Sequence, residues 1–418
     1  MRLLYKVLLW LLLPYILLRL LWRARKQPEY LSHVGERFGF YPQHDGKPLI
    51  WLHAVSVGET RATQSLVARL RAAHPDHRIL LTHATPTGRS TGEQLYGDHV
   101  LRAYLPYDYP FSVSRFLRHF DPQLGILMET EIWPNLIRAA HEQGVPLLLL
   151  NARMSEKSAR GYARFAGLTR NALEQLSAVA AQTDDDAARL TALGARNVSV
   201  MGNLKFDIEA PSAMLTLGRW LRMQFGAGRK VFLAASTREG EEALLLDALS
   251  PYLAGADWLL VIVPRHPQRF AEVAAMLEQR GIAYQRRSED LAVDPSIRVV
   301  LGDSMGEMFA YYAAADLAFI GGSLQPCGGQ NLIEACAVGT PVLVGPHTYN
   351  FAEATRLAVA AGAACQVRDA DRLVAEVQRL LGDENALSAM RQGCAGFVAA
   401  NRGATDAALN IVSSFLSE

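Results

Sequence analysis

The sequence has few cysteines and no excess of either charge. Its 42 basic and 41 acidic residues give a formal charge of +1. It therefore lacks the basic footprint of a nucleic-acid-binding protein, and we predict no nucleic-acid partner. The cysteines show neither zinc spacing nor a disulfide framework, which favours a reducing compartment. They are scattered through the second half, at Cys327, Cys336, Cys365 and Cys394.

Several familiar ligand motifs are also absent. The sequence contains no phosphate-binding loop ending in Gly-Lys-Ser/Thr, no GxGxxG and no HExxH. Two acid clusters, Asp184–Asp186 and Asp369–Asp371, resemble metal-chelating pairs, but both precede helical stretches. Helix capping is the better account of them. We therefore predict neither a metal site nor a cofactor.

One hydrophobic run is present, from Leu3 to Leu21, broken by Lys6, Pro14 and Arg19. Its uncharged core of 12 residues is short for a spanning helix, which needs about 20 apolar residues. Basic residues follow it, which favours a cytoplasmic main body. We predict a membrane anchor over residues 1–22, either spanning or interfacial. The alternative is a buried amphipathic helix of the globular part.

Beyond this run, short apolar stretches alternate with helical patterns. The predicted strands are Leu49–His53, Ile79–Thr82, Leu124–Met128, Val145–Leu150, Val179–Gln182, Val198–Val200, Val231–Ala235, Trp258–Val263, Val299–Leu301, Leu317–Ile320 and Val342–Val344, and a helix is predicted from Glu59 to Ala73. This alternation predicts an α/β protein with parallel sheets, and 418 residues favour two domains. The segment Glu209–Gly228 shows no strand pattern, so we place the boundary there, with domains at residues 23–209 and 210–418. Two doubly wound, Rossmann-like domains would face each other across a cleft.

The stretch Ala318–Pro346 reads as strand, glycine-rich turn, helix and strand, with the helix opening at Gln330–Glu334. Glycines allow a ligand to approach the backbone, and free N–H groups at a helix start attract an anion. Glu334 suits a pair of ribose hydroxyls. A nucleotide-sugar site and a plain βαβ unit explain this stretch equally well.

Charged residues at three places in the first domain are candidates. Glu59 follows a strand and Gly58, where it could act as a general base or complement a helix dipole. Glu129 and Glu131 end an apolar strand and share a face in extended chain. They could orient a substrate, or lie in the first turn of a helix. Lys205 could neutralise an acidic sugar or a phosphate, or simply be solvated.

Further candidates lie at strand ends of the second domain. Ser236 and Thr237 could cap a helix or present hydroxyls to a ligand. Arg265, between Pro264 and His266, suits a phosphate or carboxylate. The segment Asp303–Met308 begins a helix and could present N–H groups. Ser323, in the glycine-rich turn, is a further candidate substrate contact.

Taken together, nine motifs resemble those of the 3-deoxy-D-manno-octulosonic acid (Kdo) transferases of Gram-negative bacteria. They are WLHAVSVGE (51–59), METEIWPN (128–135), NARMSEKSARGY (151–162), GNLKFD (202–207), residues 236–242, VPRHPQRF (263–270), MGEM (305–308), GGS…GGQNLIEA (321–335) and GTPVLVGPHTYNF (339–351). The resemblance covers nearly the whole chain. It implies a GT-B fold with an acceptor domain first and a CMP-Kdo-binding domain second. It also implies Kdo transfer from CMP-Kdo to the lipid A precursor at the cytoplasmic face of the inner membrane.

The resemblance also assigns roles to residues. It implies that Glu59 is the catalytic base and that Glu129 and Lys205 assist the transition state. It places the CMP-Kdo contacts at Pro264, Arg265, His266, Gly306, Glu307, Met308, Asn331, Leu332, Ile333 and Glu334. Where relatives often have Gly-Gly-His-Asn-Pro-Leu-Glu, this chain has Gln330 and Leu332, so nucleotide affinity and the helix start are open at this point.

The resulting hypothesis is an inverting transfer without a cofactor, with inner-membrane lipid as a further partner. Two alternatives remain. One is another nucleotide-sugar transferase, or an epimerase, of the same fold with a different donor. The other is a catalytically idle membrane-bound scaffold, against which the retained charges Glu59, Glu129, Lys205 and Arg265 argue.

Overall fold

A computed structural model of the chain describes residues 2–226, 228–253 and 255–416. The chain divides into two compact units. The first contains the residues up to Asp207 together with the segment from Arg402 onward, and the second is Ile208–Asn401. Each unit contains one parallel sheet with helices, so the prediction of two parallel α/β domains is confirmed.

The first unit is built on seven strands. They are β1 (Leu49–His53), β2 (Arg78–His83), β3 (Leu101–Tyr104), β4 (Leu124–Met128), β5 (Leu147–Ala152), β6 (Ala178–Ala181) and β7 (Val198–Val200). All pair in parallel, in the order β3-β2-β1-β4-β5-β6-β7. The order reverses direction between β1 and β4. Ligands of such sheets bind outside the carboxyl ends of the strands at this point.

Helices of the first unit flank this sheet. They are α1 (Arg2–Ala24), α2 (Val57–Ala62), α3 (Gln64–Ala73), α4 (Pro86–Tyr96), α5 (Pro110–Phe120), α6 (Pro134–Glu142), α7 (Glu156–Ala163), α8 (Ala166–Leu173) and α9 (Asp184–Ala192). By length and composition, α1 could cross a membrane. The helix predicted from Glu59 to Ala73 is divided at Thr63.

The core of the first unit lies on both faces of the sheet, because its central strands are apolar throughout. Every residue of β1 and β4 is buried. Gly125 in β4 makes room for a large neighbour, since a Cβ there would lie 2.7 Å from the Trp51 ring. The Trp51 indole N–H donates a hydrogen bond to Thr82 Oγ1 at 2.8 Å. The strands carrying the candidate acids are therefore rigidly packed.

The second unit repeats the architecture. Its strands are β8 (Lys230–Thr237), β9 (Trp258–Pro264), β10 (Tyr284–Arg286), β11 (Val299–Leu301), β12 (Leu317–Ile320), β13 (Val342–Val344) and β14 (Ala364–Gln366). They pair in parallel in the order β10-β11-β9-β8-β12-β13-β14, which reverses direction between β8 and β12. Its helices are α10 (Ser212–Phe225), α11 (Glu241–Leu253), α12 (Arg269–Gln279), α13 (Met308–Ala314), α14 (Ile333–Ala337), α15 (Ala352–Ala360), α16 (Ala370–Leu381) and α17 (Glu384–Asn401).

The last helix, α18 (Ala404–Leu416), belongs to the first unit. The structure therefore corrects the second domain predicted over residues 210–418. Three residues of α18, Ala404, Ala408 and Val412, are buried in a core cluster of the first unit. The Asp207 carboxylate accepts the N–H of Gly403 at 2.8 Å and also that of Thr405. These contacts join residues about 200 positions apart, which no local sequence pattern reveals.

Candidate active site and nucleotide-binding loops

Glu59 lies in the first turn of α2, directly after β1, and its carboxylate is held on both oxygens. Ser56 Oγ donates to Oε1 and the Val55 N–H donates to Oε2, each at 2.8 Å. Ser56 Oγ also accepts the Glu59 N–H at 3.2 Å, as in a capping box. Burial raises the pKa of Glu59, while the Val55 N–H opposes that rise. Capping therefore fixes the side chain, and a carboxylate with a raised pKa is suited to general-base work.

Glu129 and Lys205 form an ion pair, with Lys205 Nζ 2.9 Å from Glu129 Oε1. Glu129 follows β4 with a φ of 58°, so the chain turns there. This corrects the expectation that Glu129 and Glu131 share a face in extended chain. The charge of Glu129 raises the pKa of Glu59 and the charge of Lys205 lowers it. The three residues predicted to be catalytic are thus brought together within the first unit.

The turn that carries Lys205 is held by buried amides that the sequence did not single out. Asn151, at the end of β5, accepts the Leu204 N–H on Oδ1 at 3.0 Å. The Gln182 amide donates to the Asn151 carbonyl at 2.9 Å and accepts from Asn203 Nδ2 at 3.0 Å. Asn151 has a φ of 52°, which asparagine tolerates better than most residues. This network fixes the position of Lys205 relative to Glu129.

Glu131 is an additional acid of this cluster that was not selected as a site residue. The Trp133 indole N–H donates to Glu131 Oε2 at 2.7 Å, and that oxygen lies 4.0 Å from His53 Nε2. Burial, followed by the charges of Glu59 and Glu129, raises the pKa of Glu131 to about 7. Burial lowers the pKa of His53 to about 3, so its ring is neutral. The only sequence signal was the pair of acids that ends an apolar strand.

The cluster therefore places three carboxylates, Glu59, Glu129 and Glu131, beside one lysine, Lys205. Lys205 is paired with Glu129. Ionising both Glu59 and Glu131 is therefore unfavourable, because two nearby buried negative charges repel each other. In this arrangement Glu59 can accept a proton from a substrate hydroxyl while Glu131 stays protonated. Within the described ranges, no group of three or more His, Cys, Asp or Glu residues could hold a metal ion.

In the second unit, one buried carboxylate organises the turn after β12. Glu241, at the start of α11, accepts the N–H groups of Gly322 at 2.5 Å, Leu324 at 3.0 Å and Arg238 at 2.9 Å. Gly321 is required beside it, because a Cβ there would lie 2.3 Å from the Ser236 carbonyl oxygen. The turns after β8 and β12, the two strands at the reversal point, are thus bonded to each other.

Two predicted substrate hydroxyls face the protein interior. Thr237 Oγ1 donates to Glu242 Oε1 at 2.8 Å, and Ser323 Oγ accepts the Gly345 N–H at 2.8 Å and donates to the Ile320 carbonyl. Both residues are fully buried. These hydroxyls support the loops rather than meet a ligand, which corrects the prediction for Thr237 and Ser323. Ser236 is half-buried with a φ of 54°.

Arg265, His266 and Gln330 lie together after β9 and the glycine-rich turn. The Arg265 N–H donates to the Thr237 carbonyl at 3.0 Å, and its Nε donates to Gln330 Oε1 at 3.3 Å. His266 Nε2 lies 2.9 Å from Arg238 Nη1. Desolvation and the neighbouring arginines lower the pKa of His266, so its neutral ring accepts that hydrogen bond. The guanidinium of Arg265 is half-buried, and its planar fork of donors suits a phosphate or carboxylate.

The helix predicted to open at Gln330 begins three residues later, at Ile333. The reason is that the N–H groups of Gln330 and Gly329 donate to the carbonyls of Gly321 and Gly322, at 3.0 and 2.7 Å. The side chains of Leu332 and Ile333 are buried, so the predicted contact of these residues with CMP-Kdo would be made by their backbone groups.

The remaining predicted contacts are more open. Asn331 Nδ2 donates to Glu334 Oε1 at 3.1 Å, and Asn331 Oδ1 accepts the Ile333 N–H at 3.0 Å. Gly306 is exposed with a φ of 80°, directly before Glu307 and Met308 at the start of α13. Ser304 Oγ donates to Glu307 Oε2 at 2.7 Å. Both segments therefore present polar groups at carboxyl ends of the second sheet.

Two parallel-sheet α/β units with polar residues at their strand ends define the GT-B class of glycosyltransferase fold. A solved glycosyltransferase from Rickettsia africae has this fold, with a TM-score of 0.57, 14% identity and coverage of 89% of this chain and 99% of that one. The model of the 3-deoxy-D-manno-octulosonic-acid transferase (kdotransferase) family matches residues 32–208, and that of glycosyl transferases group 1 matches residues 255–394.

Full-length relatives identify the family. A 3-deoxy-D-manno-octulosonic acid transferase of Bordetella pertussis is 45% identical, with 97% of each chain covered. One of Haemophilus influenzae is 37% identical, with 99% of each chain covered. The chain belongs to the 3-deoxy-D-manno-octulosonic acid transferase family.

Proposed function

We propose that this protein transfers Kdo from CMP-Kdo to the lipid A precursor during lipopolysaccharide assembly, with inversion and release of CMP. The observation that carries the proposal is similarity to Kdo transferases over the whole chain, at 45% identity for one of them. The cluster of Glu59, Glu129 and Lys205 supports it, because a fixed carboxylate beside an ion pair suits hydroxyl activation. The apolar helix α1 supports a membrane location, and the basic residues that follow it favour a main body on the cytoplasmic face.

In this mechanism Glu59 takes the proton from a glucosamine hydroxyl of the lipid acceptor. The hydroxyl oxygen forms a bond to the anomeric carbon of Kdo, and the bond from that carbon to the phosphate oxygen of CMP breaks. The electron pair of the broken bond goes to the phosphate, and CMP leaves. We assign the CMP phosphate to Arg265, because a guanidinium held by Gln330 offers a fixed donor fork. We assign Lys205 and Glu129 to the stabilisation of charge beside Glu59.

The second candidate is a different nucleotide-sugar donor used by the same fold, in a transferase or an epimerase. Fold likeness at 14% identity does not separate these reactions. The third candidate is a catalytically idle scaffold. The buried Glu59 argues against it, because a buried carboxylate with a raised pKa lowers stability and would have no chemical use in a scaffold.

Mass spectrometry of the products tests the proposal. Purified full-length protein is incubated with CMP-Kdo and tetraacylated lipid A precursor, and in parallel with a panel of UDP-sugars. We expect Kdo added to the lipid and CMP released only when both partners are present. Turnover of a UDP-sugar in place of CMP-Kdo would establish the second candidate. An absence of both turnover and CMP binding in calorimetry would establish the scaffold.

A further inference from the structure

Helix α1 is attached to the folded body near its amino-terminal end. The Tyr5 hydroxyl donates to Asp108 Oδ2 at 2.9 Å, and the Tyr109 hydroxyl donates to the carbonyl of Leu9 at 2.7 Å. The Trp10 ring lies 5.4 Å from the Tyr109 ring. These contacts join the first three turns of α1 to a segment about 100 residues further along the chain.

Asp108 is itself fixed in the core of the first unit. Its side chain is buried, and its carboxylate accepts the N–H groups of Asn135 at 3.0 Å and Leu136 at 2.8 Å, in the first turn of α6. The Asn135 side chain also donates to the Asp108 carbonyl at 2.6 Å. Tyr5 is therefore bonded to a loop residue that is itself held in place by its hydrogen bonds to the start of α6.

The carboxyl-terminal end of α1 also belongs to this unit. Leu20 and Ala24 are buried, and the Arg23 guanidinium lies 5.4 Å from the ring of Tyr30 in the segment that leads into the first unit. From Tyr5 to Ala24 the helix rises about 28 Å. That length nearly equals the hydrocarbon core of a bilayer, about 30 Å.

A spanning helix would therefore put Tyr5 and Ala24 on opposite sides of the membrane. Both ends contact the same globular unit, whose polar surface cannot extend through hydrocarbon. We propose that α1 does not cross the membrane but lies along the first unit in the plane of one interface. This inference rests on the proposed membrane association and settles the choice between a spanning and an interfacial anchor.

The face of α1 directed away from the body fits a lipid surface. Its exposed large apolar residues include Leu3, Leu4, Leu8, Leu11, Leu18 and Trp22. Phe111 of α5 extends this surface, since its ring stacks at 5.8 Å on Trp10 and is 37% exposed.

The charges around α1 also favour a lipid surface as its partner. The first 28 residues contain no Asp or Glu. Over the described part of this segment, none of Lys6, Arg19, Arg23, Arg25 and Lys26 forms an ion pair with an acid. Unpaired cations around an apolar helix face match a bilayer with anionic headgroups.

The in-plane position also bears on the reaction. Asp108 connects α1 to the first turn of α6, and the segment just before α6 carries Glu129 and Glu131. The membrane-binding helix and the acid cluster therefore belong to one rigid unit. A lipid acceptor can present its head group to Glu59 while its acyl chains stay in the leaflet that α1 occupies.

Sidedness of labelling tests the inference in cells that express the full chain. A Lys6→Cys variant, at a half-buried cation near the amino-terminal end of α1 that would lie at the level of the lipid headgroups, is treated with a membrane-impermeant maleimide, in spheroplasts and in inverted inner-membrane vesicles, and labelled peptides are identified by mass spectrometry. The half-buried native Cys327 and Cys365 report the side of the body. We expect Cys327 and the introduced cysteine to label in the same preparation. Labelling in opposite preparations would overturn the in-plane position.

Flotation with vesicles separates this outcome from a failure of the proposed membrane association. Wild-type full-length protein is expected to float with phosphatidylethanolamine–phosphatidylglycerol vesicles. We expect Leu8→Glu combined with Leu11→Glu to weaken that binding about tenfold or more. Leu244→Glu with Leu291→Glu, at exposed leucines of the second unit, is the matched control and should bind normally. Equal binding by the α1 variant and its control would show that this face does not meet lipid.

Discussion

The two units share a parallel-sheet architecture with different strand orders, and each places different side chains at the point where its strand order reverses. In the first, the turns after β1 and β4 carry Glu59 and Glu129, and the site contains buried titratable groups. In the second, the turns after β8 and β12 are drawn together by backbone N–H groups on Glu241. The reversal point supplies a position in each sheet, and we propose that the residues after each strand suit the first site to proton transfer and the second to anion binding.

The buried acids of the two units also differ in the hydrogen bonds that their carboxylates accept. Glu241 is satisfied by N–H groups of the protein itself and has a structural task. Glu59 accepts one N–H bond, from Val55, and one hydroxyl bond, from Ser56, and burial raises its pKa. Glu131 accepts one hydrogen bond, from the Trp133 indole N–H, and burial raises the pKa of Glu131 to about 7. A buried carboxylate that accepts few hydrogen bonds is a candidate for a catalytic role. One whose oxygens all accept hydrogen bonds from the protein has a structural role.

The largest effect is expected at the proposed base. Glu59→Gln should lower kcat about 10²–10⁴-fold, because the amide cannot take the acceptor proton. CMP binding should be unchanged, since its predicted contacts lie in the second unit. Steady-state transfer and CMP calorimetry measure the two effects, with the exposed Glu93→Gln as control. Near-normal turnover would remove Glu59 from its role.

Lys205→Met should lower kcat about 10²-fold, by analogy with the loss of a single charge-stabilising donor. The charge of Lys205 lowers the pKa of Glu59, so its removal should also move the acidic limb of the rate profile to higher pH. A pH profile of kcat, compared with that of the exposed Lys157→Met control, checks this. An unshifted limb would mean that Lys205 does not act on the base.

Glu131→Gln should stabilise the protein at alkaline pH. The folded pKa of Glu131 is about 7, against an ordinary 4.5. Between these values only the unfolded state loses the proton, so stability falls as pH rises and stays low above pH 7. The variant should gain up to about 3 kcal/mol at pH 8 and nothing below pH 4.5. Denaturant unfolding at both pH values tests this, and a gain that is independent of pH would contradict it.

Arg265→Ala should raise KM for CMP-Kdo about tenfold or more while kcat changes less, since a charged hydrogen bond to the phosphate contributes about 1.5–3 kcal/mol. The exposed Arg356→Ala in the same unit is the control. A loss confined to kcat would place Arg265 in the chemistry and blur the division between the units.

The smallest effect is expected at Gln330. Its carbonyl accepts one bond from Arg265 at 3.3 Å, so Gln330→Ala should raise KM for CMP-Kdo about five-fold, the equivalent of about 1 kcal/mol. Combined with Arg265→Ala it should add nothing further. Additive losses would show that Gln330 contacts the donor independently of Arg265.

The sequence was sufficient where local pattern decides the structure. Strands β1 and β4 were predicted with their observed bounds, because apolar runs ending in polar residues are typical of parallel strands. Strands β3, β10 and β14 were not predicted, since they are short and lie toward the sheet edges.

Contacts between residues that are far apart in the chain could not be predicted from the sequence. Lys205 and Glu129 are 76 residues apart, and the raised pKa of Glu131 depends on burial and on two other acids. The inward turn of Thr237 and Ser323 likewise depends on neighbours, Glu242 and Gly345, that only the fold supplies. Residue type indicated the candidate groups, and the fold shows which of them are already hydrogen-bonded within the protein.

The return of α18 to the first unit makes residues 208–401 an insertion within that unit's chain. An excised second unit is one continuous piece with two new ends. A first unit cut after Asp207 would instead lose its closing helix, uncover the apolar surface beneath Ala404 and Val412, and strip the Asp207 carboxylate of its N–H partners. Recombinant dissection should therefore rejoin residue 207 to residue 402 through a short linker.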